Sequence, residues 1–183
     1  MQNKPIIVIA GGSGFFGSYL CDFFSEKYQV VVLTRGENQE KNGVRFQHWD
    51  GKNVGDWKYS LDGALALINL SGKSINCRFT DENKKALINS RVSTTQILAH
   101  GIKRVDNPPN VWLNASAGAM YVAGEKPNTE NDKEFADSFL SKMAMEWEQA
   151  FYKEELPKTK RASLRISLIL GKGGGVFPVL KKI

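Results

Sequence analysis

The stretch VIAGGSGFFGSYL, Val8 to Leu20, puts four glycines within seven residues directly after an apolar run, and then returns to aromatic and aliphatic residues. Gly11, Gly14 and Gly17 follow a predicted strand and open a predicted helix. In that context the first glycine allows a tight turn, the middle one lets a pyrophosphate lie against the backbone, and the last lets helix and strand pack closely. The helix N-terminus adds free N–H groups and a positive dipole end. The stretch predicts a dinucleotide-binding βαβ unit; its bland alternative is a flexible loop between two structural elements.

The rest of the chain continues the same rhythm. Apolar, β-branched runs predict strands at Ile6 to Ala10, Val30 to Thr34, Val44 to His48, Ala64 to Leu70, Val111 to Ala115 and Ala162 to Leu168. Amphipathic segments predict helices at Phe15 to Lys27, Asp81 to Ile102 and Ser138 to Lys153. Runs such as VVVL and ALALINL are apolar on successive residues, as strands covered on both faces must be. The expectation is therefore an α/β fold, a Rossmann-type doubly wound parallel sheet with helices on both faces.

In a fingerprint that prefers NAD, an acidic residue ends the second strand and takes the ribose hydroxyls. Here that strand reads VVVLTRG. Arg35 follows Thr34, eighteen residues past Gly17, with no carboxylate beside it. A cationic fork there suits the 2′-phosphate of NADP, unless Arg35 is merely a solvated charge.

Composition narrows the partners. The 183 residues carry a formal charge of +6 with a pI near 9.3, yet the densest basic run, PKTKRASLR from Pro157 to Arg165, has no interleaved aromatic platform and reads as a solvated face. Nucleic acid is not expected; an anionic nucleotide or phosphorylated small molecule is. Cys21 and Cys77 belong to no CxxC or Cys/His cluster and read as reduced, structural thiols. His48 and His100 are isolated, so no metal site is expected. No apolar stretch is long enough for a membrane span and the N-terminus lacks a signal peptide, which makes the cytoplasm the expected location.

Several segments together resemble the extended short-chain dehydrogenase/reductase superfamily, within it the epimerase-like group named for nucleoside-diphosphate-sugar epimerases. GGSGFFG is similar to that group's glycine motif, VVVLTRG to its second strand, and HWD, His48 to Asp50, to its Trp-Asp pair. INLSGKSINCRFTDENKKALINSRVSTTQIL, Ile68 to Leu98, is the most specific stretch. NASAGAMY, Asn114 to Tyr121, resembles the segment with the active-site serine, SFLSKMAMEWE the helix ending in Trp-Glu, and LRISLILGKGGG the sixth strand and its loop. The resemblance implies cofactor contacts from Gly11, Ser13, Gly14, Phe15, Phe16 and Gly17. It implies Thr34 and Arg35 at the 2′-phosphate, Asp50 near the adenine, Leu70, Ser71 and Gly72 beside the middle of the cofactor, and Arg91 as a helix-borne contact. Asp50 would equally cap a turn before Gly51, Ser71-Gly72 would serve any βα connection, and Arg91 would serve as a helix-face charge.

Members of the family run on past this length into a substrate-binding lobe. Residues 1–171 are thus expected to form the dinucleotide-binding domain, and 172–183 the start of a truncated substrate-binding region. Apolar residues from Val176 to Leu180 would then be exposed, which makes a homo-oligomer an expected possibility.

The superfamily's tyrosine, paired with a lysine four residues on, is missing. Aligning SFLSK on the usual YxxSK puts Ser138 and Lys142 in those places; aligning on Glu148 puts Leu140 and Ala144 there. The remaining candidates for proton chemistry are Ser116, Tyr121 and Lys142, with Tyr121 equally readable as a packed aromatic. Two functions follow: an NADP-dependent epimerase or oxidoreductase acting on a nucleotide-sugar or other small carbonyl or hydroxyl compound, or a catalytically degenerate NADP-binding sensor or interaction protein.

Overall fold

The computed structural model describes residues 4–172 and 174–181. Its central sheet has seven strands: β1 (Ile6–Ala10), β2 (Gln29–Thr34), β3 (Gln39–Lys41), β4 (Val44–His48), β5 (Ala66–Asn69), β6 (Val111–Ala117) and β7 (Lys160–Ile166). Their order is β3-β4-β2-β1-β5-β6-β7, parallel except for β3. The order reverses between β1 and β5, the crevice where ligands bind in doubly wound sheets. The helices are α1 (Phe15–Ser25), α2 (Asp81–Ile102) and α3 (Phe139–Lys153). This is the expected Rossmann-like α/β fold.

Alternate strand residues feed two cores. On one face Val8, Ala10, Val31, Leu33, Leu67 and Trp112 meet Leu98, Ala99 and Ile102 of α2 and Phe151 of α3. On the other, Ile7, Ile9, Val30, Val32 and Ile68 meet Cys21 with Leu20 and Phe24 of α1. Burial, with a smaller contribution from Asp22, raises the Cys21 thiol to about 11, so it stays protonated as a packing residue.

Several bounds differ from the sequence reading: α1 ends at Ser25 rather than Lys27, β5 spans Ala66–Asn69 rather than Ala64 to Leu70, and β6 runs on to Ala117. The edge strand β3 was not expected, because Gln-Glu-Lys has no apolar alternation; the Asn42-Gly43 pair, with φ of 53° and 73°, makes the two-residue hairpin that folds it back on β4. Strand β7 runs over 160–166 rather than 162–168, since its whole length pairs with β6 from Val111↔Lys160 to Ala117↔Ile166. Ser138 lies outside α3 as its N-cap, its hydroxyl accepting from the Ser141 N–H.

After β7 a small hairpin, β8 (Leu170–Gly171) with β9 (Gly174–Gly175), crosses the boundary expected at 171/172 and is followed by the short α4 (Phe177–Leu180). A Cβ on Gly171 or Gly174 would come within 2.6 or 2.5 Å of the Phe15 ring. The second glycine run is therefore a seat for that aromatic. Phe177 and Leu180 are exposed; residue 173 and the side chains at 178 and 179, within the expected apolar stretch, lie outside the described residues.

Candidate functional site

The site begins where β1 ends. Gly11 has φ +79°, and a Cβ there would meet the Leu70 carbonyl at 2.9 Å and the Ser71 nitrogen at 3.0 Å, so the turn lies directly against the end of β5. A Cβ on Gly17 would sit 2.5 Å from the Gly12 Cα, which is how closely α1 approaches the turn. Gly14 differs: a Cβ there would meet only the Gly11 carbonyl oxygen, at 3.4 Å. Gly14 is also the N-cap of α1, with no side-chain cap and no acidic residue in the first turn. The helix thus presents its first N–H groups and dipole beside a backbone stripped of side chains, the geometry that holds a pyrophosphate. Ser13 is exposed next to it; Phe15 and Phe16 are half-buried.

At the end of β2 the Thr34 hydroxyl accepts the Gly36 N–H at 3.2 Å, and Arg35 is exposed. The loop is tied to β4 through His48, whose Nδ1 contacts the Gly36 carbonyl at 2.9 Å and whose N–H donates to Asn38 Oδ1 at 2.6 Å. Asp50 makes the turn cap that was its alternative reading: Oδ1 accepts the N–H groups of Lys52 and Asn53, and Oδ2 the Asn53 amide. The Asn53 side chain, then these N–H groups, hold its carboxyl down at about 2.

Across the Gly11 contact lies a cavity of about 360 Å³, lined by Leu70–Ile75, Arg91, Ser116, Ala117 and Ala119, and closed by Leu140, Met143, Ala144 and Trp147 of α3. Ser71 and Ser116 are 8% and 5% exposed, and neither hydroxyl has a hydrogen-bond partner. Two buried hydroxyls without partners on one cavity call for a polar ligand. Arg91 stacks its guanidinium on Trp147, 5.3 Å from the ring centre, and donates to the carbonyls of Leu87 and Lys73.

Beneath the cavity runs a polar chain that sequence reasoning missed. Asn69 Nδ2 donates to Asn114 Oδ1 at 2.7 Å and Thr95 Oγ1 at 3.1 Å, Asn69 Oδ1 accepts the Ser71 N–H, and Trp147 Nε1 donates to Thr95. Asn69, Thr95 and Asn114 are fully buried. The chain ties β5, β6, α2 and α3 together directly under Ser71.

The three candidates for proton chemistry are not brought together. Ser116 lines the cavity; Tyr121 and Lys142 do not. Lys142 sits in the first turn of α3, paired with Asp137 and largely exposed. The helix face turned to the cavity carries Leu140 and Ala144, the pair matched to the family's tyrosine and lysine when the alignment is made on Glu148. Tyr121 packs on Phe135, and its oxygen accepts a hydrogen bond from Arg165 at 2.6 Å. Arg165 forks onto Glu148 with two bonds of 3.0 Å, and Ser163 donates to the same carboxylate. Burial pushes the Glu148 carboxyl up, but the hydrogen bonds from Arg165 and Ser163, with the nearby Ser116 hydroxyl and the Arg165 charge, leave it net below its ordinary value. Arg161 donates to the Phe151 and Glu154 carbonyls, so the basic run is not a solvated face throughout. Its signal was period-two placement of Arg161, Ser163 and Arg165 on the strand face that meets α3.

Among the described residues there is no cluster of three potential metal ligands, and no helix is long and apolar enough to cross a membrane. The sequence profile of the NAD dependent epimerase/dehydratase family matches residues 7–181. An epimerase family protein of Staphylococcus saprophyticus is 29% identical over 181 residues, 95% of this chain and 58% of that protein. The crystal structure of the human epimerase family protein SDR39U1 with NADPH superposes with a TM-score of 0.80 at 26% identity, over 97% of this chain and 58% of that one. A nucleoside-diphosphate sugar epimerase from Corynebacterium glutamicum gives 0.78 at 30% identity, over 98% of this chain and 37% of that one. The chain therefore spans less than two thirds of the length of these relatives.

Proposed function

Because the chain belongs to the NAD dependent epimerase/dehydratase family, we propose that it is the cofactor-binding part, residues 1–171, of an NADP-dependent epimerase or oxidoreductase. The substrate class is a nucleotide-sugar or another small carbonyl or hydroxyl compound. The observation that carries this reading is the junction at Gly11, where an uncapped helix N-terminus with an open Gly14 adjoins a cavity with two unpartnered buried hydroxyls. Bound there, NADP would supply a hydride acceptor or donor. In this reading the glycine turn from Gly11 to Gly17 holds the phosphates, Thr34 and Arg35 take the 2′-phosphate, and Asp50, in its turn, shapes the adenine side. Leu70, Ser71 and Gly72 lie beside the middle of the cofactor, Arg91 is a helix-borne contact, and the nicotinamide end reaches into the cavity. Ser116 is the hydrogen-bonding group for substrate, and Tyr121 and Lys142 are its more distant candidates for proton transfer. The NADPH in the human relative's structure supports the choice of cofactor. Two free thiols suit a reducing, cytoplasmic location.

The second reading, an NADP-binding protein without turnover, is favoured by one observation. The wall that α3 gives the cavity, Leu140, Met143, Ala144 and Trp147, carries no acid or base. Both readings require the cofactor. Calorimetric titration should show NADP binding at least ~10-fold tighter than NAD, the equivalent of about 1.4 kcal/mol from a charge-assisted contact to Arg35. Arg35→Asp should shrink or invert that ratio, and equal affinities in the unmutated protein contradict the assignment.

A further inference from the structure

We propose that the cavity binds the reduced, uncharged nicotinamide in preference to the oxidised, cationic one, and that Arg91 sets this preference. The inference rests on the cofactor reading above and adds to it the redox state that the site selects.

The lining of the cavity holds two cations, Arg91 and Lys73, and no carboxylate. Arg91 is half-buried on α2. Its Nη1 and Nη2 donate to main-chain carbonyls, of Leu87 and Lys73, each at 3.1 Å, its face lies on the Trp147 ring, and its Nε is buried without a partner. The charge is thus held by dipoles and a π-face, with no ion pair to it among the described residues. Burial lowers its pKa, but a guanidinium begins so high that it remains a cation. Lys73 is exposed, with its ammonium on Asn83 Oδ1 at 2.9 Å. Glu148, behind Ser116, is held in a two-bonded fork by Arg165 and offers the cavity little uncompensated negative charge.

A second cation brought into a partly desolvated space beside Arg91 meets a repulsion that a neutral ring does not. The two redox forms share the same phosphates and ribose, so the glycine turn and Arg35 contribute equally to both. Their affinity difference isolates the nicotinamide end. Selecting the reduced form raises the reduction potential of the bound couple by about 30 mV for each tenfold in affinity ratio.

The test is calorimetry on this 183-residue chain with NADPH, NADP+ and 2′-phospho-ADP-ribose, which lacks the nicotinamide. NADPH should bind at least ~10-fold tighter than NADP+, a difference of about 1.4 kcal/mol. Arg91→Gln should narrow that ratio several-fold, with 2′-phospho-ADP-ribose titrated beside it to separate any effect on the shared phosphates and ribose. Lys73→Gln should narrow it less, its charge being screened by water. Equal affinities for NADPH and NADP+ overturn the proposal, as does an Arg91→Gln protein that keeps the whole ratio. If that variant fails to fold, the Lys73→Gln ratio and the wild-type ratio in rising salt decide, and a ratio that moves in neither overturns it. Failure of 2′-phospho-ADP-ribose to bind removes the cofactor reading itself, and this proposal with it.

Discussion

At the β1–α1 end of the site the chain makes room by leaving side chains out, while at the β5–β6–α3 end it makes a cavity by bringing side chains in. Gly11 and Gly17 are positions where a Cβ would collide with backbone, and Gly14 is one where it would collide with almost nothing, which leaves the space for a ligand. The cavity depends instead on Asn69, Thr95, Asn114 and Trp147, which come from four elements and meet only in the fold. One end is a property of local backbone; the other exists only through tertiary contacts. Substitutions should therefore fail in different ways at the two ends.

The largest effect is expected at Asn69. Asn69→Leu keeps the branched shape of the side chain but leaves the Asn114 amide oxygen and the Ser71 N–H buried without their partners. That should cost roughly 2–4 kcal/mol, as two or so unsatisfied buried groups do. Urea unfolding measures it, and a variant as stable as the parent would mean that the cavity end does not rest on its side chains.

The glycine end separates folding from binding. Gly17→Ala forces a methyl to within 2.5 Å of the Gly12 Cα, an overpacking that should cost about 1–3 kcal/mol of stability. Gly14→Ala has room, and its φ of −77° suits alanine, so it should fold normally. The added methyl then occupies the space proposed for the pyrophosphate and should weaken NADP by about tenfold or more, which is about 1.4 kcal/mol. Thermal melts and titrations of the two variants test the contrast. A Gly14→Ala protein that binds as tightly as the parent would put the ligand elsewhere.

The same contrast explains what could be read from the sequence. The glycine spacing, strand β1, helix α1 and the cationic end of β2 are local, and each follows from residues a few positions apart. The Asn69 chain joins residues 26 and 45 positions apart, and no spacing announces it. Arg165 was legible as a charge but not as a partner, because its hydrogen bonds reach back 44 positions to Tyr121 and 17 to Glu148. The face of α3 could not be chosen between Ser138/Lys142 and Leu140/Ala144 from sequence, because the choice depends on how the helix packs: in the fold Leu140 and Ala144 line the cavity, while Ser138 caps the helix and Lys142 is exposed. Strand β3 went unread for a different reason. Its polar residues give no periodic signal, and only the Asn-Gly turn marks it.

The smallest expected effect lies at the back of the cavity, in the dependence of stability on pH. Glu148 is the carboxylate that joins α3 to β7, and its pKa in the folded protein is below the ordinary 4.5. A group depressed in this way contributes stability that is fully present above its unfolded value and is lost as pH falls through the folded one. Glu148→Gln removes that titration and leaves the Arg165 fork only an amide to bind. The stability difference between parent and variant should therefore be constant from neutral pH down to about pH 5, and shrink as the pH falls further below 4.5. Because the same Arg165 holds the Tyr121 oxygen, the variant also tests the coupling between them: near neutral pH, Tyr121 fluorescence or NMR shifts should change with Glu148→Gln. A difference that stays constant down to pH 3 would show that Glu148 is not held ionised by Arg165, and would leave the other α3 contacts, Arg161 to the Phe151 carbonyl and Trp147 to Thr95, to hold the helix in place.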